Sequence, residues 1–425
     1  MTKRWRLGVA LAATAALTLT ACGGGEEAAS GPVSLRMTVW TADEAQLALF
    51  QEIADAYVAD HKDTVTKVTF ETMPFEEYTT GLTTQIAGGN APDLAWIFES
   101  NAPEFVRSGA LTDLRPALKD AEGYDFDDLE PDALKLWEND EGLYGYPFSN
   151  SPFGVFVNTD QLAAAGQPNP ADLIADGQWT WDKAAEISAA TAQKSGKSGL
   201  VVRDFDFAQW ENLATVWTSF GAKPWSDDGA TCEFTSPEMI DALTWIHDQV
   251  FTKKAMPGPG TTADFFAGDA AMTVTQISRA SALDDTFQWD LVPLPDGPEG
   301  HRNVIGQAAI GVFAEGANPR AATDFLAWFT NPENAKKLAA YFPPPRTSLL
   351  DAQTLKAANP KLSEAQLQTV VVEGIPGAVT KPAHQNFAQL QQAVRAKLDA
   401  LWTADADVDG VAKSVCEAMT PLLKA

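Results

Sequence analysis

The chain has 425 residues, with 57 acidic against 30 basic side chains and a formal net charge of −27. That balance argues against nucleic acid and anionic lipid headgroups as partners, because both are held by basic surface. Hydrophobic residues make up 45% of the sequence, enough for a substantial core, and the length suits two large domains at roughly 150 residues each.

The chain opens with Lys3, Arg4 and Arg6, followed by an apolar, Ala-rich run from Leu7 to Ala21. This is the pattern of a secretory signal sequence over residues 1–21, and the run falls short of the roughly 20 apolar residues that span a bilayer. Leu19-Thr20-Ala21-Cys22 resembles the lipobox of bacterial lipoproteins. That implies acylation of Cys22, which would become the first residue of the mature chain; an ordinary signal sequence with a chance cysteine is the alternative. Residues 22–32 have the composition of a flexible tether. The expectation is a body outside the cytoplasmic membrane, attached to it by a lipid anchor only. Apart from Cys22, only Cys232 and Cys416 remain. An even pair in an oxidising compartment points to one disulfide between the middle of the chain and its C-terminus, with two buried free thiols as the alternative.

Val33, Leu35, Met37 and Val39 alternate with their neighbours, as a strand requires. Thr41 and Asp43 can cap a helix whose apolar face is Leu47, Phe50, Ile53, Ala54 and Tyr57. A second strand is expected over 65–70, a helix over 76–86 stopped by Gly88-Gly89, and a buried third strand over 92–98. Strands alternating with helices imply a parallel sheet covered by helices. Later in the chain, Trp289 to Pro295 is strand-like and then broken by prolines and glycines through Gly300. Asn318-Pro319 and Asn331-Pro332 each mark a helix start, the first burying Ala322, Phe325, Leu326 and Phe329. Pro343-Pro344-Pro345 is a rigid extended connector.

Gln85 to Asp93 followed by Ser108 to Leu114 resembles the family 1 extracellular solute-binding proteins of ABC importers, the maltose-binding-protein-like group. Tyr144-Gly145-Tyr146-Pro147 with Gly154 to Asp160, Trp179-Thr180-Trp181-Asp182, Phe266 to Met272 and Pro343 to Arg346 match further family segments in family order. The likeness covers residues 33–425. It implies an α/β fold of the two-lobe periplasmic-binding-protein type (class II), with parallel-rich sheets, flanking helices and a three-strand hinge. The first lobe would comprise 33–149 and 295–343, the second 150–294 and 344–425.

In an open α/β sheet, ligands sit beyond the carboxyl ends of the strands. Those ends carry Trp40, Asp43 and Glu44 after the first strand and Glu99, Ser100 and Asn101 after the third, while Ser149, Asn150 and Ser151 lie at the first crossing. Thirteen tryptophans against six tyrosines supply flat faces for sugar rings, although the core is the commoner address for most of them. The family pattern adds Gln209, Trp210 and Glu211, then Ser278 and Arg279, Gly306 and Gln307, and His384 to Asn386. Arg346 joins this set, or else pins the connector by bonding backbone carbonyls. Ser278, and the region near Ile97, depart from the tryptophans of the maltose-binding group, which speaks against maltodextrin itself. Asp43, Glu44 and Glu99 serve equally as helix caps or surface carboxylates.

No metal site is expected, since the four histidines are scattered and no HExxH or CxxC occurs. Gly196-Lys197-Ser198 imitates the end of a phosphate-binding loop, but Thr191 stands where its first glycine is needed. No nucleophile elbow or dinucleotide fingerprint is present, and no cofactor is expected. The resemblance implies a monomer that captures a carbohydrate between its lobes and passes it to the membrane permease subunits of an ABC importer, with no bond made or broken. Three alternatives remain: a binder of a cationic or peptide-like solute, which would use converging carboxylates; an envelope glycoside hydrolase, which would need two carboxylates across one pocket; and a structural lipoprotein without a deep cleft.

Overall fold

The alternation over 33–39 forms strand β1 (Val33–Val39), with Leu35, Met37 and Val39 fully buried. The computed structural model describes residues 31–203, 209–258, 261 and 263–424; the expected signal sequence, Cys22 and nearly all of the tether lie outside the described residues. Asp43 caps the helix Glu44–Asp60, its Oδ1 accepting from the backbone N–H of Ala45 (2.9 Å) and Gln46 (3.0 Å), and Phe50, Ile53, Ala54 and Tyr57 face inward. Strands β2 (Val65–Thr72) and β3 (Leu94–Phe98) lie parallel to β1 on its two sides. The helix Tyr78–Ala87 joins them and ends at Gly88, one residue before the left-handed Gly89.

The remaining strands are β4 (Tyr146–Asn158), β5 (Ser198–Val202), β6 (Ala270–Gln276), β7 (Trp289–Val292), β8 (Val304–Val312) and β9 (Val379–Thr380). The order is β2-β1-β3-β8-β4-β6-β5, with β7 beside β4 and β9 beside β8. Parallel pairs lie toward the two ends, and β8 and β4 run antiparallel in the middle. The sheet is therefore mixed, with its antiparallel part where the chain passes from one lobe to the other.

Two separate hydrophobic cores flank that middle, each covered by helices. Tyr146 and Phe148 belong to the first core and Phe153 to the second, so β4 crosses between them at Ser149–Pro152. β8 returns between Val304, in the second core, and Ala308, in the first. The third passage runs through Pro343–Arg346, held where Pro343 O accepts from Asn150 N (3.1 Å) and Pro345 O from Glu130 N (2.7 Å). The return falls later than residue 295. Asp296 exchanges backbone bonds with Trp179 and Trp181, and Glu299 N donates to Ser219 O, which ties this stretch to the second lobe.

Local capping follows the sequence. Thr180 caps the helix Trp181–Ser195, which Gly196 ends at φ 72°; the glycine of the apparent phosphate-loop remnant is thus a helix C-cap. Asn331 caps Pro332–Leu338, and the preceding helix Pro319–Phe329 buries Ala322, Phe325, Leu326 and Phe329. Cys232 and Cys416 are bonded, joining the loop before the helix Pro237–Phe251 to the last helix, Val408–Leu423. No helix among the described residues is long and apolar enough to cross a membrane.

Candidate functional site

The crossing strands leave a cleft of about 350 Å³ between the lobes. β1 delivers Trp40 to it, β3 delivers Phe98 and Glu99, β4 delivers Ser149 and Ser151, and the end of β6 brings Gln276, Ser278 and Arg279. Trp40 stacks on Phe98 with ring centroids 4.2 Å apart and planes within 12°, while Trp96 (4.7 Å) and Tyr78 (5.1 Å) meet it edge-on. Tyr78 is itself fixed by its hydroxyl, which donates to Thr38 O at 2.9 Å. Phe148 stacks on Trp96 and continues the aromatic wall. Such a wall offers flat apolar area at little cost in side-chain entropy.

The opposite wall is polar. Ser151 Oγ accepts from Ser278 N (3.3 Å), and Arg203 donates to Gln276 Oε1. Gly306 lines the cleft beside them; a Cβ there would lie 2.4 Å from Gln276 Nε2, so the missing side chain makes room for that amide. The guanidinium of Arg279 lies 5.0 Å from the Phe266 ring centroid, and that of Arg203 5.4 Å from the Phe75 centroid.

The carboxylates are committed. Asp43 lines the cleft while capping its helix, and buried Glu99 pairs with Lys381 Nζ at 2.9 Å. Lys381 is placed by β9, whose pairing with β8 sets the chain beside Ile305. Ser100, Asn101 and Gln209 line a second chamber on the far side of Glu99, together with Glu211.

Seven expected site residues line neither the cleft nor the second chamber: Glu44, Asn150, Trp210, Arg346 and His384 to Asn386. Glu44 is exposed on the first turn of its helix. Asn150 is fully buried and cross-links the hinge: its Nδ2 donates to Pro147 O (3.1 Å) and its Oδ1 accepts from Gln307 Nε2 (2.7 Å). Trp210 is fully buried among Trp217, Trp225, Phe234 and Phe387. Arg346 is fully buried too, donating to the carbonyls of Tyr124, Asp125 and Thr330; it pins the connector. Gln307 does line the cleft, yet its amide is spent on Trp137 Nε1 (2.7 Å), Ala133 O (3.0 Å) and Asn150. Phe75, Phe98, Arg203, Gln276 and Lys381 were missed by sequence reasoning. Only Phe98 carried a usable signal, as the last residue of the third strand.

Glu211 is buried, and burial pushes its carboxyl above the ordinary value of 4.5; the charge of Lys381 opposes that shift and Glu99 reinforces it. The folded protein thus holds this proton more tightly than the unfolded chain. Its stabilising contribution is fully present below the unfolded value and is lost as pH rises through the raised folded value. Glu211→Gln removes the titration, so its stability relative to wild type should rise as pH increases from 4.5 through that window. Urea unfolding at a series of pH values measures this, and a difference independent of pH would contradict it.

The sequence from 41 to 336 matches the model of the family described as bacterial extracellular solute-binding protein. The chain belongs to that family. This solute-binding protein is 26% identical to an uncharacterized lipoprotein from the oleD 5′ region of Streptomyces antibioticus, over 79% of this chain and 75% of that one. It is 25% identical to the lactose-binding protein of Rhizobium radiobacter, over 75% and 73%. Its two-lobed fold superposes on an ABC substrate-binding protein of Listeria monocytogenes solved with cycloalternan, with TM-score 0.79 at 22% identity, covering 92% and 99% of the two chains.

Proposed function

We propose that this solute-binding protein captures a sugar or oligosaccharide between its lobes and delivers it to an ABC importer, anchored outside the cytoplasmic membrane through acylated Cys22. The observation that carries the reading is the pairing of an aromatic wall, Trp40 on Phe98, with a facing wall of serine hydroxyls, a glutamine amide and two guanidinia. Sugar rings present apolar faces and a rim of hydroxyls, which these two walls match. A buried partner left unpaired by the wrong hydroxyl costs roughly 1–3 kcal/mol, which supplies the selectivity. Ligand then favours the closed arrangement, because only closure offers it both walls. The relatives named for lactose and cycloalternan support the saccharide class, and the Streptomyces relative's description as a lipoprotein supports the anchor. The cationic-solute alternative would draw on Asp43, Glu44, Glu99 and Glu211; against it, Asp43 caps its helix, Glu99 is paired with Lys381, and Glu44 is exposed outside the cleft lining, which leaves Glu211 alone.

A thermal-shift panel on the chain from Gly31, which retains both cores, tests the reading with sugars, polyamines, amino acids and peptides. Native-state binding adds about 2.7 kcal/mol at a hundredfold excess over Kd. A response to saccharides is expected; a response confined to polyamines or peptides would overturn it.

A further inference from the structure

The cleft wall that carries Ser278, Arg279 and Ser281 is a single 3-10 helix, Ile277–Ala282. A run of 6 residues is long for this tighter helix, whose hydrogen-bond geometry is poor, and its last carbonyls find no partner within it. Support comes from outside. Ile277, Ala280 and Leu283 anchor the turn in the second core, and on its cleft side Ser278 N donates to Ser151 Oγ (3.3 Å). At its far end Lys361 Nζ donates to Ser281 O (2.9 Å) and to Leu283 O (2.8 Å), so one ammonium closes the C-terminal end of the turn. A cation at that end also suits the helix dipole. The loop that presents Lys361 is itself fixed. Lys356, on the helix Ala352–Ala358, donates through Nζ to Pro360 O and Leu362 O (2.7 Å each), Lys361 N donates to Asn359 Oδ1 (3.2 Å), and Leu362 is fully buried. Lys361 is exposed and lines neither the cleft nor the second chamber.

We propose that Lys361 is a positioning residue for the cleft: through the carbonyls of Ser281 and Leu283 its ammonium holds the turn that aims Ser278, Arg279 and Ser281 at the solute. The inference rests on the saccharide reading of the cleft, and it concerns how one wall is preorganised rather than what touches the ligand. Hydrogen bonds from a charged donor are the stronger kind. A wall fixed before the ligand arrives loses less freedom on binding, which raises affinity without any new contact. Lys361 thereby acts from a sequence separation of 80 from the carbonyl it holds, on the other side of the turn from the ligand.

Two variants test the role: Lys361→Met keeps the aliphatic stem and removes the donors, and Lys361→Arg keeps the charge and at least two donors. Amide hydrogen exchange of the ligand-free proteins reads the turn directly. Isothermal titration with glucose, galactose, arabinose, maltose, lactose and arabinobiose reads the cleft. In Lys361→Met the amides of 277–283 should exchange at least about fivefold faster, while β4 and the helix Pro237–Phe251 exchange as in wild type. Affinity for a sugar that binds wild type should fall about fivefold in the same variant, and Lys361→Arg should stay within about twofold of wild type in both measurements. The positioning role is refuted, with the saccharide reading intact, by unchanged exchange over 277–283, by faster exchange with unchanged affinity, by faster exchange spread over the whole second lobe, or by equal losses in the two variants. If wild type binds none of the six sugars, the saccharide reading fails and the positioning role falls with it.

Discussion

Replacing Cys232 and Cys416 together by serine is expected to lower the unfolding free energy of the second lobe by up to about 5 kcal/mol. The bridge closes a loop with a sequence separation of 184, and in the chain-entropy picture the stabilisation grows with the logarithm of loop length, reaching about 5 kcal/mol at this size. Its position favours a large effect. It fastens the last helix, Val408–Leu423, whose Val411, Ala412, Val415 and Met419 fill the second core, to the loop that leads into Pro237–Phe251. Urea unfolding without reductant, wild type against the double variant, measures the loss. A difference below about 1 kcal/mol would show that the last helix is held by packing alone.

Arg346→Met should cost about 3–5 kcal/mol, the range for breaking a buried ionic contact by removing one partner. The guanidinium reaches Tyr124 O at 2.8 Å, Asp125 O and Thr330 O at 3.1 Å, and Asp128 Oδ2 at 3.4 Å, and lies 4.7 Å from the Tyr124 ring centroid. Methionine fills much of the volume but leaves three carbonyls without their Arg346 donor and removes the counter-charge of Asp128, whose carboxylate keeps Ser348 N and Oγ as donors. Arg346→Lys should recover only part of the loss, because an ammonium is a point charge and cannot fork among carbonyls on several sides. Saccharide affinity of the folded variants should stay within about twofold of wild type, less than half a kcal/mol, since Arg346 does not line the cleft. Unfolding free energies and titrations on the same preparations separate the two effects; normal stability with lost binding would return Arg346 to the site.

Arg346 also shows where sequence reasoning stops. The motif Pro343-Pro344-Pro345-Arg346 marks a connector, but whether a guanidinium at its end faces a ligand or backbone carbonyls depends on partners far away in the chain. Asn150 and Gln307 pose the same problem. Both sit at the crossing strands as expected, yet their amides bond chiefly to each other and to neighbouring groups, a choice that no local pattern encodes. Trp210 was placed by resemblance near the cleft, and the packing of four rings around it puts it in the core. By contrast β1, the helix Glu44–Asp60, β2 and β3 were legible because each carries its own periodicity, caps or stop signals. The Cys232–Cys416 bond was legible by counting. Lys381 was not, because the two-residue strand β9 that places it has no period to read.

The central claim, that the Trp40 wall receives a sugar ring, is tested most directly by titrating wild type and Trp40→Ala with one saccharide that binds wild type. Trp40 is only half-buried and rests on Phe98 rather than deep in the core, so the variant should fold. The expected result is a loss of roughly 30-fold in affinity, about 2 kcal/mol, as for an aromatic anchor in a binding site. Equal affinities for the two proteins, with both folded, would contradict the claim and move the binding surface elsewhere.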